Sequence, residues 1–178
     1  MFRPISRCVR RLPYRLQLAQ FRLDHGLRLC HQVALDHLEE VAHVVDQVED
    51  ALPQVSLVVT ATTATSPVLP DLDSGLWRDD HFIAAVGAFR PEMCELPPAL
   101  CLQAASGGHL IADTFSGIQH EAGDLLQAGV DWATLREFKD AILLDPRAIR
   151  DRDGCGPVVF KSVGYALWDL AAASLVVG

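Results

Sequence analysis

The stretch Leu57–Leu96, LVVTATTATSPVLPDLDSGLWRDDHFIAAVGAFRPEMCEL, decides the fold. Leu57-Val58-Val59 is a short apolar, β-branched run that passes at once into a string unfit for helix, Thr60-Ala61-Thr62-Thr63-Ala64-Thr65-Ser66-Pro67. A second apolar run, Phe82–Val86, ends as abruptly in Gly87-Ala88. Brief, unbroken apolar runs suit strands of a parallel sheet covered on both faces. Ligands of an open α/β sheet gather outside the carboxyl ends of its strands. Here those ends are Thr60–Ser66 and Gly87–Arg90, which offer small side chains, hydroxyls and free backbone N–H groups.

Outward from this stretch, Glu49–Leu52 reads as a short helix stopped by Pro53, at the end of a helical pattern (Val33, Leu35, Leu38, Val41, Val44, Val45, Val48) that a strand near His43–Val45 could interrupt. Ser74-Gly75 marks a turn. Ala99–Ala104 is expected as a helix and His109–Asp113 as a third strand. Gln119–Leu126 reads as one helix. Asp131–Leu144 reads as another, capped by Asp131, with Trp132, Leu135, Phe138 and Ile142 on one side. Val158–Phe160 is a small strand. Ser162–Val177 is apolar all round, which predicts a buried helix, partly against another domain or subunit. The order is that of an open α/β sheet, since four or five strands cannot close an eight-stranded barrel.

The 178 residues suffice for one domain with a substantial core. Half of them are hydrophobic and 21% charged, a globular composition. Twenty-three acids against fifteen Lys and Arg give a net charge of −8, which argues against a nucleic-acid surface. The five cysteines (Cys8, Cys30, Cys94, Cys101, Cys155) are odd in number and irregularly spaced, pointing to a reducing, cytoplasmic setting. No apolar run reaches membrane-span length, so no membrane partner is expected. The opening, through Gly26, is arginine-rich and acid-poor like a transit peptide but lacks a secretory apolar core. Pro4 and Pro13 interrupt any periodicity there.

No G-x-G-x-x-G, P-loop, H-E-x-x-H or G-x-S-x-G occurs, and Gly154-x-Gly156 runs into proline and a strand rather than a helix. No metal is expected. The candidates are strand-end groups. Thr60, Thr62 and Ser66 either give hydroxyls to a ribose or close a turn on their own backbone. Gly87 either lets a flat ring lie on the backbone or simply ends a strand; a leucine there is expected to fill the ring's place and spare the core. Arg90 either meets a substrate carboxylate or pairs with Glu92 or Glu95. Glu121 and Asp124 either cap a helix or face a cleft. Lys161, electrostatically misplaced before a helix, calls for a carboxylate or a cofactor phosphate.

Four blocks then resemble the ornithine cyclodeaminase/mu-crystallin family. They are Val58-Val59-Thr60-Ala61-Thr62-Thr63 with Ser66-Pro67-Val68-Leu69; Ala85-Val86-Gly87-Ala88-Phe89-Arg90-Pro91 with Glu95-Leu96; His120-Glu121-Ala122-Gly123-Asp124-Leu125; and Phe160-Lys161-Ser162-Val163-Gly164 with Trp168-Asp169-Leu170. The third is closest to the bacterial Δ1-pyrroline-2-carboxylate reductase branch. The resemblance implies a Rossmann-type three-layer open parallel sheet, incomplete at its N-terminal end, over residues 44–178, with residues 1–43 an unmatched segment. It implies NADPH or NADH beside Thr60, Ala61, Thr62, Val86, Gly87, Ser162, Val163 and Gly164, while Arg90, Glu121, Asp124 and Lys161 are kept from the residues themselves as candidates near the substrate or just behind it. It implies a homodimer acting on a small cyclic imino acid. Ornithine-deaminating members carry aspartate two residues after the glycine matching Gly87; Phe89 stands there, favouring imine reduction. Where the family has asparagine, this chain has Ala84. The glycine-rich nucleotide loop and the substrate domain are not found before Val44, so the expectation is a C-terminal fragment with no catalytic residue of its own. The alternatives are an ornithine cyclodeaminase or alanine-dehydrogenase-like enzyme, and a non-catalytic interaction remnant.

Overall fold

The computed structural model describes residues 45–144 and 156–177. The arginine-rich opening, almost all of the helical pattern before Val48 and the charged loop 145–155 lie outside the described residues. Five strands form one parallel sheet: β1 (Leu57–Thr60), β2 (Phe82–Ala85), β3 (Leu110–Ala112), β4 (Arg136–Glu137) and β5 (Val158–Lys161), in the order β1-β2-β5-β3-β4. The helices are α1 (Val48–Ala51), α2 (Pro98–Ser106), α3 (Phe115–Glu121), α4 (Gly123–Ala128), α5 (Phe138–Ala141) and α6 (Ala166–Val177). Parallel pairing obliges every connection to cross a sheet face, so helices layer both sides and the arrangement is Rossmann-like.

The register sets the site. Thr60 pairs with Ala85, Ala85 with Lys161, Lys161 with Ala112, and Ala112 with Glu137. All five carboxyl ends therefore stop at one level.

Partners in register share a face. Ile83, Ala85, Leu110, Ala112 and Val159 turn to the side packed by Leu100, Cys101 and Ala104 of α2, Ile118 of α3 and Leu125 of α4. Phe82, Ile111, Val158 and Phe160 turn to the other side, against Phe138 and Ala141. Trp168 of α6 reaches Phe138 there, ring centroids 4.8 Å apart. That second layer thins towards β1, where Leu57 and Val59 are 38% and 50% exposed.

Three expected helices are corrected. Gln119–Leu126 lies within two helices broken at Ala122 (ψ 84°), because Gly123 is pressed against the carbonyls of Arg90, Pro91 and Met93. Asp131–Leu144 is not one helix. Asp131 does cap a turn, its carboxylate accepting the Ala133 N–H at 3.0 Å, but Leu135 is extended and leads into β4 before α5. Its apolar spacing of three and four arises because the chain crosses the sheet, with Leu135 in one layer and Phe138 in the other. The terminal helix exists, but the described residues do not bury it. Leu170 is 65% exposed and Leu175 86%. No helix among the described residues is long and apolar enough to cross a membrane.

His81 closes the amino end of β2. Its Nδ1 accepts the Arg78 N–H at 3.1 Å, and its Nε2 lies 3.2 Å from the Leu52 carbonyl, so the neutral ring with its proton on Nε2 satisfies both contacts. Burial pushes its pKa below 6.5. The unfolded chain then binds the proton more readily, so this contribution to stability is complete above about pH 6.5 and is lost as pH falls below it. The urea midpoint should decline from pH 7 to pH 5, and His81→Gln should flatten that slope while lowering stability at pH 7. Gly123→Ala should cost about 1–3 kcal/mol, read from the same denaturation curves, since a methyl group there drives α4 off the Arg90–Met93 turn.

Candidate cofactor site at the strand tips

The chain leaving β2 turns back on itself. The Met93 N–H donates to the Arg90 carbonyl, and Cys94 pairs in parallel with Thr65. The Cys94 N–H donates to the Ala64 carbonyl and the Val68 N–H to the Glu95 carbonyl, both at 2.9 Å. This returning strip runs beside the loop after β1 and delivers Glu95 beneath it. Glu95 is fully buried. Its Oε1 accepts the Thr62 N–H at 2.6 Å and the Thr62 hydroxyl at 2.9 Å. Its Oε2 accepts the N–H groups of Gly87 at 2.9 Å and Ala88 at 3.1 Å. One carboxylate thus welds the tips of β1 and β2.

A second buried carboxylate holds the first. Asp124 Oδ1 accepts the Glu95 N–H at 2.5 Å and the Leu96 N–H at 2.8 Å, while Oδ2 lies 2.8 Å from Lys161 Nζ. Lys161 ends β5 and donates to the Ala88 carbonyl at 2.7 Å. Neither Asp124 nor Lys161 has any solvent exposure. Of the two partners that the sequence suggested for Lys161, the structure supplies the carboxylate. Cys94 and Cys101 pack nearby as inert thiols: burial pushes Cys94 up to about 11 and Cys101 higher still.

The tip of β5 is held in the same manner. Asp113, just past β3, accepts the Ser162 hydroxyl at 2.8 Å and the N–H groups of Val163 and Gly164 at 2.9 and 3.2 Å through Oδ2. Its Oδ1 takes the Thr114 N–H at 2.6 Å. At the next tip, Glu137 accepts the Phe115 N–H at 2.7 Å and pairs with Lys139.

The expected cofactor-side residues Thr60, Ala61, Thr62, Val86, Gly87, Ser162, Val163 and Gly164 therefore fall along one edge, at three neighbouring strand ends. Thr60 is buried, and its hydroxyl has no partner among the described residues. Ala61 and Val86 are exposed, and Thr62, Gly87, Ser162 and Val163 are half-buried. Gly164 is exposed, with φ +89°. Arg90 is exposed over the Phe89 ring, 5.5 Å from its centroid; Glu95 is spent elsewhere, so that expected bridge does not form. Glu121 is exposed on α3, whereas Asp124 and Lys161 stand behind the tips rather than in contact with solvent.

One expectation reverses. The N–H groups of Thr62, Gly87, Ala88, Val163 and Gly164 are not free but taken by carboxylates. Reading single residues missed the roles of Glu95, Asp113 and Glu137. The available signal was an acid wedged between apolar neighbours (Cys94 and Leu96) or directly closing an apolar strand, as Asp113 does. Gly87 also has a reason of its own: a Cβ there would run into the backbone N and O of Thr62.

What stays open at the edge is selective. The carbonyls of Val86 and Gly87 take no hydrogen bond among the described residues, and the Val86 and Val59 side chains are 41% and 50% exposed. Apolar surface beside carbonyl acceptors fits a flat ring bearing an amide N–H2, as a nicotinamide does. The tip N–H groups already neutralised by carboxylates do not fit a pyrophosphate, which wants uncommitted donors. Glu95, Asp113, Asp124 and Lys161 are all committed to partners among the described residues.

Level parallel strands, helical layers and a polar carboxyl edge place the chain in the Rossmann-like class of nucleotide-binding folds. No family model matches it. It is 34% identical over 137 residues to a Δ1-pyrroline-2-carboxylate/Δ1-piperideine-2-carboxylate reductase of Azospirillum brasilense, covering 76% of this chain and 40% of that enzyme. It is 34% identical over 134 residues to the ketimine reductase mu-crystallin of Rattus norvegicus, covering 75% of this chain and 38% of that one. Among solved structures, a probable ornithine cyclodeaminase from Bordetella pertussis Tohama I superposes with TM-score 0.59 at 25% identity, over 74% of this chain and 40% of that one. The Thermococcus litoralis Δ1-pyrroline-2-carboxylate reductase, in complex with NADH and L-proline, shares the fold with TM-score 0.56 at 23% identity, over 74% and 40% of the two chains. The chain belongs to the superfamily of ornithine cyclodeaminases, mu-crystallins and Δ1-pyrroline-2-carboxylate reductases. It spans about 40% of the length of the curated relatives it matches.

Glu95→Ala should strand four donors and cost about 3 kcal/mol or more in urea unfolding. Gly87→Ala should itself be destabilising, by about 1–3 kcal/mol, rather than a silent block of the edge. Denaturation of both variants beside the wild type checks this.

Proposed function

We propose that residues 44–178 are the nicotinamide-facing part of an NAD(P)-binding domain serving the reduction of a cyclic imino acid. The substrate is Δ1-pyrroline-2-carboxylate or Δ1-piperideine-2-carboxylate, the product L-proline or L-pipecolate, and the hydride donor NADPH or NADH. The observation that carries this reading is the Glu95 clasp. It holds the Thr62 and Gly87 tips flush and leaves the Val86 side chain and the carbonyls of Val86 and Gly87 on the open edge. Relatives named as reductases of these two imines support the substrate class.

The chemistry asks little of such an edge. When bound, a dihydronicotinamide would supply the hydride for the C=N carbon. The protein must fix the ring's face, keep water out and leave the imine protonated. Val86 and Val59 supply apolar surface, and the carbonyls of Val86 and Gly87 would set the amide. Thr60, Ala61, Ser162, Val163 and Gly164 would flank the nucleotide. Arg90, exposed and with no carboxylate partner among the described residues, would meet a substrate carboxylate. Cations and donors for the rest of the substrate and for the pyrophosphate would come from outside the described residues, in a homodimeric whole.

An ornithine cyclodeaminase is the second reading, favoured by the likeness to the Bordetella pertussis structure. It would need an acid to handle amine and water. The residue two positions after Gly87 is Phe89, 41% exposed, with the Arg90 guanidinium over its ring.

Titrating the chain with NADH and with NADPH by nicotinamide fluorescence should give saturable binding. With pyrroline-2-carboxylate or piperideine-2-carboxylate present, any turnover should appear as NAD(P)H oxidation and not as ammonia release from ornithine. A flat titration with both nucleotides would dismiss both enzymatic readings for this chain and leave the interaction remnant. Ammonia release from ornithine without imine reduction would select the cyclodeaminase.

A further inference from the structure

We propose that Lys161, together with Asp124, is a positioning residue for the peptides Val86–Ala88, and so for whatever flat ring lies on them; this rests on the nicotinamide reading above. The pair reaches the loop by two routes. Directly, Lys161 Nζ donates to the Ala88 carbonyl at 2.7 Å. Indirectly, Asp124 fixes the Glu95 backbone at 2.5 Å, and the Glu95 carboxylate then takes the Gly87 and Ala88 N–H groups. Add the Val86 N–H donated to the Thr60 carbonyl at 2.9 Å, and every N–H of the three residues, plus the last carbonyl, is fixed. Among the described residues, only the carbonyls of Val86 and Gly87 are left over, and they are the acceptors offered to the ring.

Stability alone does not account for a charge pair in this place. Two fully buried ions lose their hydration, and apolar replacements of similar volume are often as stable or more so. Lys161 sits on the face otherwise filled by Ile83, Val159 and Leu110, where an aliphatic residue would pack at least as well. What an aliphatic residue cannot supply is a donor that crosses from the tip of β5 to the tip of β2. In this structure the donor is a lysine whose counter-ion, Asp124, lies on the element that also braces Glu95. The pair therefore ties β5, α4 and the β2 loop to one point.

The experiment uses the whole chain, 15N-labelled. In the wild type, the amides of Gly87 and Ala88 should be protected from hydrogen exchange comparably to Val159 in the sheet, not to the exposed loop residue Thr63. The double variant Asp124→Asn with Lys161→Met removes both charges and keeps an oxygen for the Glu95 and Leu96 N–H groups. It should melt within a few degrees of the wild type. Exchange at Gly87 and Ala88 should accelerate about tenfold or more, with Val159 unchanged, and NADH affinity should fall about tenfold. Lys161→Met alone leaves a buried carboxylate without its counter-ion and should lower the melting temperature far more than the double variant does. Unchanged loop exchange and unchanged affinity in a folded double variant would overturn the proposal. So would fast exchange at Gly87 and Ala88 in the wild type, a measurement that stands even if neither variant folds. Loosened exchange in the double variant, together with no NADH binding by the wild type, would mean that the brace is real and the nucleotide reading wrong.

Discussion

A parallel sheet ends in a row of backbone N–H groups that have no further strand to pair with, and the cost of leaving them dry is high. Here that cost is met by carboxylates buried under the row. Glu95 takes three N–H groups and a hydroxyl from two different strand tips. Because all four partners are donors, an acceptor-only group is the one that satisfies them together. Much of the surrounding loop geometry follows from that contact. The turn at Gly87–Met93 must double back to bring Glu95 under the loop, Gly87 must lack a side chain so that Thr62 can approach, and Gly123 must lack one so that Asp124 can reach the Glu95 backbone.

The sheet was legible because its strands are short apolar runs closed by residues that cannot continue them. Leu57–Thr60, Phe82–Ala85 and Val158–Lys161 appear close to where hydrophobic continuity places them. β4 was hidden for a physical reason. With two residues it has no period of its own, and its flanking residues, Leu135 and Phe138, serve opposite faces of the sheet at helix-like spacing. The adjacency of Thr62 and Gly87 was legible from the strand ends. The agent of that adjacency was not, because a glutamate in a loop reads as solvated until its backbone neighbours are placed around it. Arg90 looked like its natural partner by distance along the chain. Four backbone and hydroxyl donors, already fixed in position and costing little entropy, outcompete one flexible guanidinium.

The two faces of the sheet are unequally covered, and the difference has consequences. Under Ile83, Val159 and Leu110 lies a continuous layer from α2, α3 and α4, while the opposite face carries a small aromatic group, Phe138, Phe160 and Trp168, and thins out at β1. The apolar α6 reaches that thin side through Trp168, with Leu167, Leu170 and Leu175 still uncovered by described residues. Parallel sheets are ordinarily covered on both faces. The candidate edge borders both sides, the well-packed layer from α2, α3 and α4 and the thin one with its exposed Val59 and Val86.

A division of labour follows from the inventory of charges. At the tips, each buried ionisable side chain is already held: Glu95 by donors, Asp113 by donors, Asp124 and Lys161 by each other. A group so engaged cannot change protonation state without stranding its partners, which makes it a poor acid or base and a good scaffold. Hydride transfer tolerates this arrangement well, since the nucleotide carries the reducing equivalent and the protein's task is to hold two flat systems face to face. The hydrolytic steps of a deamination do not, because water must be activated and an amine must lose and gain protons in turn. On the proposed reading, an edge whose ions are spent on holding backbone in place would present a nicotinamide to an imine more readily than it would handle water and ammonia.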